Sequence, residues 1–354
     1  MKVVVHGSYF GYNFGDTLLC RIFSDWARSV DGVDEVILPL ADAANRKYIG
    51  GDKSGFLRAL SADRAIFCGG GYFSAPNASR AWQIRAFWRH LALAEALQMR
   101  GVPIALLGVG VGPLHGKLLK ARVVRLFEYA KIVVVRDEQS RQYLTDLGLK
   151  RDVLVRTDAA LSMDLSRFDL ASCNLLSKTD PSFRRLLVHT TATPDARELA
   201  IVSYAAKWAD GKRDVQLILG TDSRPRRARV VWPSDLMETL NKSKTLVYKY
   251  PGDVDNLISL LSSVDGIVTT KLHVGIVGSV LEKFVVSVPH HTKTPRFYSQ
   301  INLEQNCVPP HAQWEAPLQS LLDDWYSGST LDFSALRNVR MKSDYLPFIS
   351  AFIH

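Results

Sequence analysis

Short runs of β-branched and aliphatic residues alternate along this chain with longer amphipathic stretches. In the first half the apolar runs are Val3–Val5, Glu35–Leu38, Ala65–Cys68, Ile104–Gly108, Ile132–Val135 and Val153–Val155. Between them, a helical period predicts helices over Asp16–Arg28, Arg80–Met99, Leu118–Ala130 and Glu138–Leu147. Such alternation predicts βαβ units and a mostly parallel sheet. From Arg167 to Phe183 the periodicity weakens and Ser, Asn, Lys, Asp and Pro accumulate, as in a linker.

A second alternation follows. Its strands are expected at Leu186–His189, Val215–Leu219, Thr245–Tyr248, Gly266–Thr269 and Phe284–Val288. Its helices are expected at Asp195–Ala209, Ser234–Asn241, Val254–Ser262, His273–Leu281 and Ala316–Tyr326. The fold class is therefore α/β: two doubly wound Rossmann-like domains, 1–166 and 184–354, joined by the linker 167–183 and facing each other across a cleft. The length of 354 residues accommodates two domains of ordinary size.

Charge and cysteine usage narrow the partners. Forty-four Lys and Arg against 35 Asp and Glu give +9, which favours anionic ligands such as phosphorylated metabolites, lipid-linked phosphates or an anionic membrane surface. The basic residues are spread out, with one local cluster at Arg224–Arg229 that reads as a solvated loop. No aromatic-interleaved basic stripe or reading motif supports nucleic-acid binding. Cys20, Cys68, Cys173 and Cys307 are scattered, which suits reduced thiols rather than disulfides or a zinc site. The first residues are too briefly apolar for a signal peptide, and no stretch approaches the roughly 18 apolar residues of a membrane span. These features predict a cytoplasmic protein that can rest on the inner face of a membrane.

In open α/β sheets, ligands bind outside the carboxyl ends of the strands. The residues with chemical potential fall at such ends. In the first domain they are Asn13, Gly15 and Asp16 after the first strand, Gly70 and Gly71 after the third, Gly110 after the fourth, Arg136 after the fifth, and Asp158. In the second domain Lys271 and His273 stand where a strand runs into a helix, and His291 and Lys293 follow the next strand. A Lys and a His at a helix N-terminus join free backbone N–H groups and the helix dipole, an arrangement suited to an anion. Each feature also has a plainer reading. Glycines after strands permit tight turns, Asp16 can cap a helix, and Arg136 can pair with Asp137. No His-Glu-x-x-His, Gly-x-Ser-x-Gly or Cys/His cluster is present, which argues against metal-dependent hydrolysis and serine acyl transfer.

The ordered set is more specific than its parts. Asn13-Phe-Gly15-Asp16, Gly69-Gly-Gly71, Gly108-Val-Gly-Val-Gly-Pro113, Val135-Arg136-Asp137, Asp158, Lys271-Leu-His273 and Lys293 together resemble the polysaccharide pyruvyl transferase family. The resemblance implies a GT-B-like fold, the second domain holding the donor and the first the acceptor. It also implies transfer of a pyruvyl group from phosphoenolpyruvate to a sugar, as a cyclic ketal, with release of phosphate. On this reading His273 donates a proton to the methylene carbon, Arg136 and Lys293 hold the anionic groups, and Asp16 accepts a hydroxyl proton. Asn13, Gly15, Gly70, Gly71, Gly110, Asp158, Lys271 and His291 line the substrates. No cofactor or metal is required. The partners are phosphoenolpyruvate and a saccharide acceptor, free or lipid-linked. This sequence has Lys271 where the family usually has Arg. Two readings compete: a nucleotide-sugar glycosyltransferase on the same twin-domain scaffold, and a catalytically silent saccharide-binding protein.

Overall fold

The computed structural model describes residues 1–74, 79–177, 179–221, 240, 245–290, 293–310 and 313–354. Contacts divide the chain into two units. The first comprises Met1–Tyr12, Asp16–Met163 and Met341–His354, and the second comprises Asn13–Gly15 and Asp164–Arg340.

Seven strands build the first unit: β1 (Lys2–His6), β2 (Glu35–Leu38), β3 (Lys53–Ser54), β4 (Arg64–Cys68), β5 (Ile104–Val109), β6 (Ile132–Val135) and β7 (Leu154–Val155). They lie in the order β3-β2-β1-β4-β5-β6-β7, each pairing parallel. Every residue of β5 is buried, as expected of a strand covered by helices on both faces. The order reverses direction between β1 and β4, and the crevice at such a switch point is where ligands of doubly wound sheets bind.

The second unit repeats the plan with five parallel strands: β8 (Arg184–Thr190), β9 (Val215–Thr221), β10 (Leu246–Val247), β11 (Gly266–Thr269) and β12 (Phe284–Ser287). Their order is β10-β9-β8-β11-β12, so its switch point lies between β8 and β11. Two Rossmann-like α/β regions are what the alternation of apolar runs predicts, and they match the GT-B-like fold that the resemblance implies. Helix Leu272–Val280 connects β11 to β12 and is buried along nearly its whole length. Among the described residues no helix is long and apolar enough to cross a membrane.

Three details differ from the expectation. The long helix over Arg80–Met99 is interrupted by a π-helical turn at Phe87–Leu91 between the α-helices Arg80–Ala86 and Ala92–Met99. Edge strand β3 and the helices Ala43–Ile49 and Phe56–Ala59 were not anticipated. The C-terminal residues, assigned from sequence to the second domain, pack instead in the first unit. There Tyr345 is fully buried, 5.5 Å from the Phe23 ring centroid and stacked at 6.0 Å on Trp26, and its hydroxyl donates to the Thr157 carbonyl at 2.8 Å. The apolar face of Leu346–Ile353 is satisfied by that burial. Arg224–Arg229, His291 and all of the expected helix Ser234–Asn241 except Leu240 lie outside the described residues.

Candidate functional site

Beside the switch point of the first unit, the carboxyl ends of β4, β5 and β6 bring together Asp16, Gly70, Gly71, Gly110, Arg136 and Asp158. A Cβ on Gly70 would stand 3.2 Å from the Asp16 carboxylate, so Asp16 and the Gly69–Gly71 turn are neighbours. Gly71 and Gly110 both back onto the Arg136 guanidinium, and a Cβ at Gly110 would lie 2.6 Å from its Nε. A side chain at 110 would displace that guanidinium. Arg136 is only 11% exposed, with Asp137 3.7 Å from Nε and Asp158 3.7 Å from Nη1. Both acids also cap helical turns: Asp137 accepts from the Ser140 N–H at 2.7 Å, and Asp158 from the Ala160 N–H at 3.1 Å. The Arg136 charge is therefore met by two carboxylates of the same unit.

Beside this cluster lies a pair of buried imidazoles. His6, the last residue of β1, meets His90 of the π turn at 3.0 Å between Nε2 and Nδ1. Tyr72 stacks on His90 with centroids 4.4 Å apart. Burial lowers the His6 pKa to about 3, with the Arg89 backbone opposing weakly, and burial drives His90 well below its usual range. Both are neutral, so one donates and the other accepts. Next to them a cavity of about 240 Å³ is lined by Ser8, Ser74, Trp82, Arg85, Arg89 and His90, among others. Two guanidinium groups, two hydroxyls and an aromatic surface suit a saccharide that carries a negative charge.

The second unit holds the other group. Lys271 is the N-cap of helix Leu272–Val280, its backbone extended at φ −110° and ψ 128°, and its side chain does not cap the helix. The first-turn N–H groups are consequently directed away from the helix toward the end of β11, an anion-favouring position. His273 follows in that first turn, half-buried. Residues Asn13–Gly15 are grouped with this unit, and Gly15 packs so tightly that a Cβ there would overlap the His273 imidazole. Phe14 is fully buried in the same place, edge-on to Tyr250 at 6.0 Å. One residue before the end of β8, His189 is fully buried, and neither ring nitrogen reaches a hydrogen-bond partner among the described residues. Burial first, then the nearby Lys271 charge, lowers its pKa to about 3, and the Thr221 backbone approaches without hydrogen-bonding geometry. Lys293 opens the helix Lys293–Gln300 as an exposed residue. The strand before it lies beside β11, Thr269 of β11 pairing with Ser287 of β12.

Sequence reasoning missed Glu198. It is 2% exposed, on helix Ala196–Asp210, and it organises the strand ends. Its Oε1 accepts from the Thr270 hydroxyl at 2.5 Å and the Thr191 N–H at 3.2 Å, and its Oε2 from the Thr191 hydroxyl at 2.5 Å. His290 lies 3.8 Å from the same carboxylate and 3.7 Å from Asp195. Asp195, Glu198 and His290 present ligand atoms within 4.8 Å of one another, the spacing of a divalent-metal site. The three donors already engaged by Glu198 make the set a positioning network that ties the ends of β8 and β11 together. Its signal in the sequence, an acid three residues after the capping Asp195, is indistinguishable from an ordinary helix start.

A sequence profile described as Polysaccharide pyruvyl transferase matches residues 13–292. The chain belongs to that family. No curated protein sequence matches it. Its solved structural neighbours carry other descriptions. UDP-GlcNAc 2-epimerase from Methanocaldococcus jannaschii aligns with a TM-score of 0.65 at 12% identity, covering 96% of this chain and 99% of that one. The epimerase of Neisseria meningitidis bound to UDP-GlcNAc gives 0.60 at 11% identity, covering 100% and 98%. Anabaena HepE in complex with UDP gives 0.59 at 13% identity, covering 100% and 98%.

Identities this low establish the fold alone. Pyruvyl transfer from phosphoenolpyruvate, read from the resemblance, is corrected by these full-length matches, which are to proteins described as UDP-GlcNAc 2-epimerases or solved in complex with UDP. The site agrees with that correction in one respect. Arg136, cast as a donor-binding cation, has its charge compensated by Asp137 and Asp158. A guanidinium between two carboxylates has little net field left for a multiply charged donor.

Proposed function

We propose that this protein is an enzyme acting on a nucleotide-activated sugar, a uridine diphosphate sugar, whose anomeric C–O bond to the diphosphate is broken in the reaction. The reading rests on the N-terminus of helix Leu272–Val280 at the switch point between β8 and β11. There the helix dipole, its first N–H groups and the Lys271 ammonium would hold the diphosphate and stabilise it as it leaves. His273, in contact with Gly15, is the proton carrier we assign to the departing or entering oxygen. Buried neutral His189 can donate one N–H to the same anion. Glu198 fixes Thr191 and Thr270 at the strand ends and so positions the loop on which Lys271 stands. In the first unit, the cavity with Trp82, Arg85 and Arg89 is the place we assign to a saccharide acceptor, with Asp16 and Gly70 supplying polar contacts at the neighbouring turn. A cytoplasmic location belongs to the same proposal.

Support comes from the neighbours solved with UDP or UDP-GlcNAc and from the anion-favouring end of the second sheet. The test is thermal denaturation of the full chain with UDP, UDP-GlcNAc or phosphoenolpyruvate, followed by measurement of UDP release. UDP and UDP-GlcNAc should raise the melting temperature, Lys271→Met should abolish the shift, and phosphoenolpyruvate should give none. Absence of any response to uridine nucleotides would remove the proposal.

A further inference from the structure

The excess positive charge of the chain is concentrated in one stretch. Residues 64–127 contain nine Lys and Arg but a single acid, Glu95. Taking nine from 44 and one from 35 leaves 35 basic and 34 acidic residues in the rest of the chain, close to balance. Glu95 is itself neutralised by Arg122 at 2.5 Å.

The same stretch exposes apolar side chains side by side. Trp88 is 67% exposed, Ile84 52% and Leu118 68%. They border an open groove of about 330 Å³ with Phe87, and Arg80 and Arg122 stand at its edges. Arg122 lies over the Phe87 ring at 4.8 Å, and Arg85 and Lys117 are exposed next to Ile84 and Leu118. The π-helical turn at Phe87–Leu91 widens the helix at this point: His90 and Leu91 turn inward while Trp88 stays in solvent. The result is a large aromatic and two aliphatic side chains ringed by cations, on helices Arg80–Ala86 and Lys117–Tyr129 of the first unit.

We propose that this face docks the protein on an anionic lipid bilayer. The apolar side chains enter the interfacial layer, Trp88 at headgroup depth, while Arg80 and Lys117 meet lipid phosphates. Charge decides the occupant. A second copy would bring the same positive face against itself, and a neutral surface would leave the cations without partners. The docking does not depend on the nucleotide-sugar reading, because Arg80, Ile84, Trp88 and Leu118 line a separate groove from the cavity assigned there and binding is measured without substrate.

The experiment is flotation of the full chain with vesicles of equimolar phosphatidylcholine and phosphatidylglycerol, against vesicles of phosphatidylcholine alone. Binding should require the anionic lipid and weaken as salt is added. The double variant Arg80→Gln with Lys117→Gln should lose about thirtyfold in affinity. Trp88→Ser with Leu118→Ser should lose about tenfold or more. Unchanged melting temperatures will establish that both variants fold. Equal binding to neutral vesicles, no flotation with anionic ones, or variants that float like the parent would each overturn the proposal. So would a lipid-free dimer, seen by sedimentation, that the Trp88 and Leu118 substitutions dissociate.

Discussion

Gly15 and His273 compete for one small volume. The absence of a side chain at 15 is what leaves the imidazole its position at the start of helix Leu272–Val280. Gly15→Ala is therefore expected to push His273 aside. Overpacking of this kind costs about 1–3 kcal/mol of stability. If His273 carries the proton, a displacement on the order of 1 Å should slow UDP-sugar turnover about a hundredfold. Gly11→Ala is the natural control, because a Cβ there meets nothing within 4 Å. Turnover by Gly15→Ala equal to that of the control would show that the contact is mere packing. Arg136 teaches a different lesson at this scale. Its strand-end position was readable from the run Ile132–Val135, and so was its neighbour Asp137. The pairing with Asp158 was not, because it depends on how β7 is laid beside β6.

At the scale of elements, the strand ends carry the buried histidines. His6 and His189 are held near pKa 3 by burial, and His90 well below its usual value. An unfolded chain takes up protons on these residues below about pH 6.5, whereas the folded protein does not. Stability from this source is thus fully present above that pH and is lost as pH falls toward the folded values. The slope is up to about 1.4 kcal/mol per pH unit for each histidine. Urea denaturation between about pH 7 and pH 5 should show the loss, and His90→Phe should make it shallower. An identical slope in that variant would mean that other groups cause the acid sensitivity. Elements differ in how far the sequence exposes them. Central strands such as β5 and β11 are legible because apolar runs between helices have few other uses. β3 is a two-residue polar edge, and the helix Ala43–Ile49 has too few apolar positions to show a period. The π turn at Phe87–Leu91 leaves the helical pattern of Arg80–Met99 intact in sequence while rotating part of it in space. The reaction was least legible. Glycines and cations at strand ends mark a place for an anion, and the same marks serve phosphoenolpyruvate and a nucleotide sugar equally well.

For the whole molecule, the division into units is not a division of the sequence. Residues 341–354 belong with the first unit, where Tyr345, Ile349, Phe352 and Ile353 are buried. Each such side chain contributes about 1.5–3 kcal/mol, a large share together of the roughly 5–15 kcal/mol that holds a domain folded. Removing residues 341–354 should therefore leave the first unit largely unfolded, with rapid amide exchange in β1 and β4. Tyr345→Phe should cost only about 1 kcal/mol, since it loses one hydrogen bond. Slow exchange in β1 and β4 of the truncated chain would show the segment to be dispensable.

This return also sets an order of events during synthesis. A ribosome makes about 5–20 residues each second, and domains usually fold as they emerge. Here the second unit can close once Arg340 has left the exit tunnel, while the first waits with Phe23 and Trp26 uncovered for a segment more than 300 residues downstream. The earlier-made half is thus finished after the later one, and until then Phe23 and Trp26 lack the ring that covers them in the folded chain.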